Sequence, residues 1–308
     1  MKVLLYTPEQ SLPEWHAALA AALPEAQVRA WAPGLAWAAD YAALWYPAAE
    51  VLAGQKRLKA IFNLGAGVEA LLKRVQLPPG VPIIRLEDAG MAQQMAEYVT
   101  WAVLRYFRRL DAYAAQQSRA EWKLHAPADH AEFPVGVMGV GVLGLHVART
   151  LLALGFPVRG WSRGKKQVEG VRCFAGAPEL AEFLAGSRAL VCMLPHTSDT
   201  EGILNRDTLA KLPEGAYVIN VARGGLIVDE DLLALLDAGR LAGATLDVFH
   251  DEPLPAAHPF WRHPKVFITP HVSAVTLIDE SAAQVAAKIR RLERGESVTG
   301  VVDPVRGY

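Results

Sequence analysis

Three glycines with the spacing GxGxxG give the strongest chemical signal in the sequence. They lie in Gly139-Val140-Gly141-Val142-Leu143-Gly144, after a predicted strand and at the start of a predicted helix. In such a loop the first glycine permits a tight turn, the second lets the main chain approach a pyrophosphate, and the third allows close helix–strand packing. The N–H groups at the amino end of the helix then face the anion. The motif predicts a dinucleotide-binding loop; the alternative is an ordinary glycine-rich turn.

A basic turn follows the next predicted strand, Val158–Trp161. It contains Ser162-Arg163 and then Gly164-Lys165-Lys166, and no Asp or Glu occurs between Gly144 and Glu169. NAD-binding folds place a carboxylate here to bind the ribose 2′-hydroxyl, whereas arginine and lysine can pair with a 2′-phosphate. The turn therefore predicts NADPH as cofactor, with NADH less favoured. The side chains expected at the adenosine end are Ser162, Arg163, Lys165 and Lys166. A solvated basic turn is the alternative.

Three titratable residues follow later predicted strands, at the edge where open α/β sheets bind their ligands. They are Arg223 in Ala222-Arg223-Gly224-Gly225, Glu252 in Asp251-Glu252-Pro253, and His271 in Thr269-Pro270-His271. The two glycines would leave room for the arginine to face a ligand. Each residue also has an ordinary interpretation, as a surface salt bridge, a loop carboxylate or a satisfied histidine. The chain has nine histidines, and spacing alone does not choose His271 over His258 or His263.

A second glycine pair, Gly65-Ala66-Gly67, also follows a predicted strand. It lacks the third glycine of a dinucleotide loop, but its N–H groups could hold a small carboxylate. On the residue pattern alone, a tight strand-to-helix turn is the favoured interpretation.

Composition excludes several classes of protein. The 308 residues are 52% hydrophobic and 20% charged, which is typical of a globular chain with a large core. The 31 Lys+Arg and 32 Asp+Glu give a net charge of −1, so neither nucleic acid nor a membrane is an expected partner. The two cysteines, Cys173 and Cys192, have no CxxC spacing, which argues against disulfides and a thiolate zinc site. We expect a cytoplasmic protein without a metal.

Short β-branched strands alternate with helical patterns along most of the chain, which predicts the α/β class with two doubly wound parallel-sheet domains. Met91–Gln117 contains no glycine or proline and is predicted to be one buried helix that crosses between the domains. A return crossing is predicted over Ala274–Arg294. The expected division is residues 1–94 with 275–308 as one domain, and 95–274 as a Rossmann domain. Predicted strands are Lys2–Tyr6, Val28–Trp31, Ala42–Tyr46, Ala60–Asn63, Pro82–Leu86, Val135–Gly139, Val158–Trp161, Ala189–Met193, Ala216–Asn220, Ala244–Asp247 and Val266–Ile268.

Taken together, these residues resemble the D-isomer-specific 2-hydroxyacid dehydrogenases over nearly the whole chain, with the greatest likeness to the bacterial glyoxylate/hydroxypyruvate reductase A group. One position departs from the family pattern, which usually has Asp where this sequence has Glu69; this bears on the geometry of the substrate loop. The motifs that carry the resemblance are Gly65-Ala66-Gly67-Val68-Glu69, Arg85-Leu86-Glu87-Asp88, Glu97-Tyr98, Gly139–Gly144, Leu194-Pro195-His196-Thr197, Val221-Ala222-Arg223-Gly224, Leu246-Asp247-Val248-Phe249, Glu252-Pro253-Leu254, Ile268-Thr269-Pro270-His271 and Arg306-Gly307-Tyr308.

The resemblance implies a role for each site residue. Arg223 would bind the carboxylate and carbonyl of a 2-oxo acid, His271 would protonate the carbonyl oxygen, and Glu252 would orient His271. A carboxylate partner stabilises a protonated imidazole, and an arginine fork suits a 2-oxo acid. The N–H groups of Ala66 and Gly67 would hold the substrate carboxylate, with Trp45 as a pocket wall. Positions implied at the cofactor are Gly139, Gly141, Val142, Leu143, Gly144, Leu194, Pro195, Val221, Ala222, Arg223 and Asp247.

The resulting hypothesis is an NADPH-dependent reductase with a flavodoxin-like substrate domain. It would convert glyoxylate to glycolate or hydroxypyruvate to D-glycerate. Within the same class the alternative is a D-lactate-type dehydrogenase, and from another class it is a non-catalytic dinucleotide-sensing protein. The apolar surface of Met95–Phe107, together with the way this family associates, predicts a homodimer.

Overall fold

A computed structural model of the chain describes residues 1–303, apart from the side chain of Ala70. The terminal motif Arg306-Gly307-Tyr308 lies outside the described residues. The chain divides into two compact units. The first contains Met1–Met91 and the segment that begins at Thr276, and the second is Ala92–Val275. The domain boundaries predicted from the sequence fall after residue 94 and after residue 274.

The first unit is built around a five-stranded sheet in which neighbouring strands are parallel. Its central strands are buried along their whole length, as is usual when helices cover both faces of a sheet. The strands are β1 (Lys2–Tyr6), β2 (Gln27–Ala30), β3 (Tyr41–Leu44), β4 (Ala60–Asn63) and β5 (Ile83–Arg85), with helices α1 (Leu12–Ala22) and α2 (Glu69–Arg74) between them. The order β2-β1-β3-β4-β5 is the flavodoxin-like order.

The second unit contains a seven-stranded parallel sheet. Its elements are α3 (Met91–Phe107), α4 (Leu110–Ser118), β6 (Val135–Met138), α5 (Val142–Ala153), β7 (Val158–Ser162), β8 (Val171–Ala175), α6 (Gly176–Ala185), β9 (Ala189–Cys192), α7 (Arg206–Leu209), β10 (Ala216–Asn220), α8 (Asp229–Asp237), β11 (Leu241–Leu246) and β12 (Val266–Ile268). The strand order β12-β11-β10-β9-β6-β7-β8 reverses between β9 and β6, which is the Rossmann topology and its ligand-binding switch point. The predicted α/β class with two doubly wound sheets is confirmed.

The prediction of one helix over Met91–Gln117 is wrong. The chain breaks after Phe107, where Arg109 adopts a left-handed conformation with φ 54°, and α4 begins at Leu110. No glycine or proline marks this break, so no local pattern predicts it. Burial of α3 is also one-sided: Val99 and Val103 are fully buried, whereas Trp101 is 39% exposed.

The returning helix α9 (Ile278–Glu293) packs in the first unit against α1. Its Arg290 pairs with Glu25, which follows α1, at 2.7 Å. Among residues 1–303, no helix combines the length and apolar character needed to span a bilayer. The same described residues contain no cluster of three or more His, Cys, Asp or Glu side chains suited to a metal ion.

Candidate active site

The glycine loop between β6 and α5 has the shape of a cradle for an anion. Gly139 has φ 112° and lies close to the end of β9, the neighbouring strand in the sheet. A Cβ on Gly139 would meet the carbonyl oxygen of Met193, which follows β9, at 2.6 Å. A Cβ on Gly144 would lie 2.0 Å from the Gly139 oxygen, whereas one on Gly141 would meet nothing within 4 Å. The outer glycines thus serve internal packing, and Gly141 leaves open space of the kind a pyrophosphate needs.

The amino end of α5 supplies donors to this cradle. Val142 and Leu143 open the helix, and among the described residues no side chain caps its first turn. The first N–H groups of a helix lack partners within it, and the helix dipole favours an anion there. Leu194 and Pro195 follow β9, beside the turn at Gly139. These residues fit the pyrophosphate of a dinucleotide.

The basic turn after β7 has four side chains with different surroundings. Ser162 donates to the carbonyl oxygen of Gly164 at 2.8 Å, so its hydroxyl shapes the turn. The Lys166 ammonium donates to the main-chain oxygen of Val140, inside the glycine loop. Arg163 and Lys165 are exposed. The turn therefore lies against the glycine loop through Lys166 and presents Arg163 and Lys165 at its surface.

The turn that carries Arg223 is fixed by Asn220, the last residue of β10. Asn220 is 1% exposed. Its amide nitrogen donates to the Arg223 carbonyl oxygen at 2.9 Å, and its amide oxygen accepts from the Ala222 N–H at 3.1 Å. Val221 and Ala222 are buried between them. The Arg223 guanidinium is half-buried and donates to the Ala222 carbonyl oxygen at 2.6 Å.

The two glycines after Arg223 do not act as the sequence suggested. A Cβ on Gly224 would lie 1.9 Å from the carbonyl carbon of Phe249, and one on Gly225 would lie 2.6 Å from the ring of His196. They allow neighbouring loops to pack against the arginine turn rather than making room for its side chain. Gly224 thereby brings the arginine turn into contact with the loop that contains Glu252.

Glu252 and His271 form a hydrogen-bonded pair in the loops that follow β11 and β12. Nδ1 of His271 lies 2.7 Å from Oε2 of Glu252, and the two side chains are 41% and 36% exposed. The other carboxylate oxygen, Oε1, accepts from the Phe249 N–H at 2.9 Å. Because β10, β11 and β12 are neighbours in one parallel sheet, Arg223, Glu252 and His271 all lie at the same edge.

Asp247 lies at this edge as well, directly after β11, and is fully buried. Its carboxylate accepts hydrogen bonds from the turn that carries His271, including the N–H groups of Val272 and Ser273, each at 2.8 Å. The resemblance implied a place near the cofactor for Asp247; the structure gives it direct contact with the His271 turn.

The two rival histidines have other carboxylate partners. His263 lies 3.2 Å from Asp237, and His258 lies 3.3 Å from Asp229. Burial raises the pKa of Asp229, although His250 and His258 oppose that shift. Geometry therefore separates His271, which shares a sheet edge with Arg223, from histidines that pair with the ends of α8.

The first unit contains the other predicted loop. The Trp45 ring packs onto Gly65, where a Cβ would lie 2.1 Å from the indole. Asn63, the last residue of β4, is 2% exposed and donates to the carbonyl oxygens of Gly65 and Gly67 at 2.9 and 2.8 Å. The structure thus places Trp45, which follows β3, against the loop after β4 that contains Ala66 and Gly67. Glu69 is the first residue of α2.

Sequence reasoning missed four polar residues that shape these loops. Asn63 and Asn220 are both asparagines at the end of a buried strand, a position from which a side-chain amide can bond the following turn. That signal was available in the sequence. The other two, Thr269 and Tyr98, contact each other only through the fold, so no local pattern could reveal them.

The chain is similar to proteins of known family. Residues 100–273 match the family model described as D-isomer specific 2-hydroxyacid dehydrogenase, NAD binding domain. The glyoxylate/hydroxypyruvate reductase A of Serratia proteamaculans is 52% identical, with 100% of each chain covered.

Two solved structures are similar over the whole length. A D-isomer specific 2-hydroxyacid dehydrogenase from Xanthobacter autotrophicus Py2, in complex with NADPH and MES, is 42% identical with a TM-score of 0.94, covering 100% of this chain and 99% of that one. An NADPH-dependent glyoxylate/hydroxypyruvate reductase from Sinorhizobium meliloti, in complex with NADP and sulfate, is 38% identical with a TM-score of 0.92 and the same coverage. This chain belongs to the D-isomer-specific 2-hydroxyacid dehydrogenase family.

Proposed function

We propose that this protein is an NADPH-dependent reductase of small 2-oxo acids, acting on glyoxylate and hydroxypyruvate in the direction of reduction. The observation that carries the proposal is the hydrogen-bonded pair of His271 and Glu252, 2.7 Å apart, at the same sheet edge as Arg223. The glycine cradle lies on the same sheet, between β6 and α5. Relatives that are named for this activity, and are about half identical over their full length, support the substrate class.

In the proposed reaction, Arg223 binds the substrate carboxylate and carbonyl as a bidentate donor and stabilises the charge that develops on the carbonyl oxygen. Because Glu252 accepts from Nδ1 of His271, Nε2 is the ring nitrogen that protonates this oxygen. Glu252 keeps the ring in the orientation that this transfer needs. NADPH, when bound, supplies the hydride that is added to C2 of the 2-oxo acid.

The cofactor is held by the glycine loop and the basic turn. The N–H groups at Val142 and Leu143 bind the pyrophosphate, and Gly141 gives it room. Arg163 and Lys165 pair with the 2′-phosphate, while Lys166 supports the loop at Val140 and Ser162 shapes the turn. Leu194 and Pro195, beside the Gly139 turn, would border the pyrophosphate, whereas Val221, Ala222 and Asp247 would lie near the nicotinamide. Relatives solved with NADPH or NADP support NADPH as the cofactor.

Substrate size follows from the loop of the first unit. The N–H groups of Ala66 and Gly67 hold the substrate carboxylate, and Trp45, packed on Gly65, walls the pocket. An indole wall beside a glycine loop would favour a two- or three-carbon acid over one with a larger side chain.

The same proposal includes a cytoplasmic homodimer. Trp122 and Leu124, between α4 and β6, are 99% and 84% exposed, and Trp101 on α3 is 39% exposed. Large exposed apolar side chains are typical of a surface that a partner covers. The partner proposed here is a second copy of the chain.

The test is a steady-state assay of NADPH oxidation with glyoxylate, hydroxypyruvate, pyruvate and phenylpyruvate. We expect glyoxylate and hydroxypyruvate to give the highest kcat/KM, and the product from hydroxypyruvate to be D-glycerate. A preference for pyruvate would contradict the proposal and indicate a D-lactate-type dehydrogenase. Tight NADPH binding without turnover of any of the four acids would contradict the proposed activity and indicate a non-catalytic dinucleotide-sensing protein.

A further inference from the structure

The turn that carries His271 is wrapped around the buried carboxylate of Asp247. The His271 N–H donates to the main-chain oxygen of Asp247 at 2.8 Å. The next two N–H groups, of Val272 and Ser273, donate to its two carboxylate oxygens. His271 has φ 56°, a left-handed conformation that allows successive N–H groups to converge on one anion. Because a residue with a Cβ rarely adopts this conformation, the surrounding contacts must hold it.

A chain of two hydroxyls reaches the same carboxylate from helix α3. Thr269, two residues before His271, donates from Oγ1 to Asp247 Oδ1 at 2.5 Å. The Tyr98 hydroxyl is hydrogen-bonded to Thr269 Oγ1. A threonine hydroxyl has a single proton, so when it donates to Asp247 the bond with Tyr98 must be donated by the tyrosine. The chain therefore runs in one direction, from Tyr98 through Thr269 to Asp247, and bonds aligned in this way strengthen one another.

The position of Tyr98 is itself fixed by aromatic packing. Its ring lies 5.6 Å from that of Trp101, and the Trp101 ring lies 5.0 Å from that of Phe267 on β12. Burial raises the pKa of Tyr98 to about 12, so its hydroxyl remains a donor at any pH at which the enzyme would work.

We propose that Tyr98 and Thr269 are positioning residues for His271, a role that rests on the proposed function. Their hydroxyls hold Asp247 in the place around which the turn folds, and the turn presents the imidazole to Glu252. The two residues touch neither substrate nor cofactor in this role. Without the hydroxyl chain the His271 turn samples other conformations, and the ring loses its alignment with Glu252.

The first test compares two conservative variants on the same helix. Tyr98→Phe removes only the hydroxyl that bonds Thr269. Tyr106→Phe removes the hydroxyl of another α3 tyrosine, which donates to the Gly215 carbonyl oxygen and has no contact with the turn. We expect Tyr98→Phe to lower kcat by roughly ten- to a hundredfold, the effect of a small misplacement of a catalytic group, with the Kd of NADPH unchanged. Tyr106→Phe should keep the wild-type kcat. Equal kcat values for the two variants would overturn the proposal.

Two further measurements separate positioning from general damage. Thr269→Ser keeps the hydroxyl and should retain activity, whereas the isosteric Thr269→Val should lose as much as Tyr98→Phe. In the His271→Asn background, Tyr98→Phe should cause no additional loss, because it acts through His271. Additive losses would show that Tyr98 acts by another route.

The positioning role of the Tyr98 and Thr269 hydroxyls can also be measured without enzyme turnover. The ring nitrogen resonances of His271, assigned with His271→Asn, report its bond to Glu252. We expect Tyr98→Phe to shift them and Tyr106→Phe to leave them unchanged, and unchanged resonances in both variants would overturn the positioning role. Absence of glyoxylate reduction by the wild-type protein would instead contradict the proposed function, so the two failures are distinguishable.

Discussion

At the scale of single residues, the carboxylate of Glu252 has a different partner on each oxygen. Oε1 accepts from the Phe249 N–H and Oε2 accepts from His271. The first bond fixes the carboxylate to its own loop, so the second can fix the imidazole. Arg223 is fixed in a comparable way, because Asn220 bonds both sides of its turn. Glu252 and Arg223 are therefore each held by a neighbour that takes no part in the proposed chemistry, and Glu252 in turn holds His271.

Cofactor preference is a property of a few residues after β7. We expect kcat/KM for NADPH to exceed that for NADH by at least about tenfold, because a charged hydrogen bond contributes about 1.5–3 kcal/mol. Arg163→Ala should remove most of the difference and leave the NADH value nearly unchanged. Arg206→Ala, at an exposed arginine paired with Asp231, is the matched control. Equal use of both cofactors by the unmutated protein would show that the turn faces solvent.

Residue types and positions at strand ends were enough to single out Arg223, Glu252 and His271 as candidates, but not to rank the histidines. His258 lies in the loop after β11 and His271 in the loop after β12. Only the folded chain shows that His258 pairs with Asp229 and His271 with Glu252. Tyr98 and Thr269 are 171 positions apart in the chain, so their contact arises from tertiary packing alone.

At the scale of elements, most strands could be predicted because their cores are continuous apolar runs. β1, β4, β10 and β12 have the predicted bounds. β8 was missed because only Phe174 within it is buried, a pattern that a surface loop shares. The break after α3 was missed because arginine, rather than glycine, adopts the left-handed conformation there.

Two glycines of the α5 loop should respond differently to the same substitution. Gly144→Ala places a Cβ 2.0 Å from the Gly139 oxygen, so α5 must move and the unfolding free energy should fall by about 1–3 kcal/mol. Gly141→Ala meets nothing within 4 Å in the protein and has φ −83°, which alanine accepts. It should keep the wild-type Tm and weaken NADPH binding. Thermal unfolding and NADPH titration of both variants test this, and a lowered Tm for Gly141→Ala would contradict the assigned cradle.

Lys288 on α9 and Glu87, which follows β5, form a charge pair that depends on pH. Lys288 also bonds the segment after α9. Lys288 is 8% exposed and donates to Glu87 at 3.1 Å and to the Thr299 carbonyl oxygen at 3.0 Å. Burial opposes ionisation of Glu87, but hydrogen bonds from Thr299 and Lys288 outweigh it and lower the pKa of this carboxyl below its ordinary value of 4.5. Its stabilising contribution is therefore present above that value and is lost as the pH falls through the lowered pKa.

Glu87→Gln should accordingly reduce the unfolding free energy by about 1–3 kcal/mol near neutral pH. The difference from wild type should shrink as the pH falls through the lowered pKa of this carboxyl, where it takes up a proton. Urea midpoints near neutral pH and in acid measure this. Glu296→Gln, at an exposed carboxylate, is the control and should change the midpoint little. A difference that does not vary with pH would contradict the role given to the charge on Glu87.

At the scale of the whole molecule, the exposed apolar side chains of the second unit predict association. Light scattering should return twice the chain mass of 33.4 kDa at micromolar concentration. Trp122→Ser combined with Leu124→Ser should shift the mass toward the monomer, since large apolar residues contribute most of the free energy of association. Leu154→Ser, at a 42% exposed leucine after α5, is the matched control. A wild-type mass of 33.4 kDa would refute the homodimer.

In the proposed reaction His271, held by Glu252, protonates a small 2-oxo acid as it is reduced with NADPH. The decisive experiment measures kcat for glyoxylate and the Kd of NADPH for the wild-type protein and His271→Asn, because asparagine tolerates the left-handed conformation at this position. We predict that kcat falls by about 10²–10⁴-fold while the Kd of NADPH is unchanged. A His271→Asn variant that retains the wild-type kcat would contradict the account.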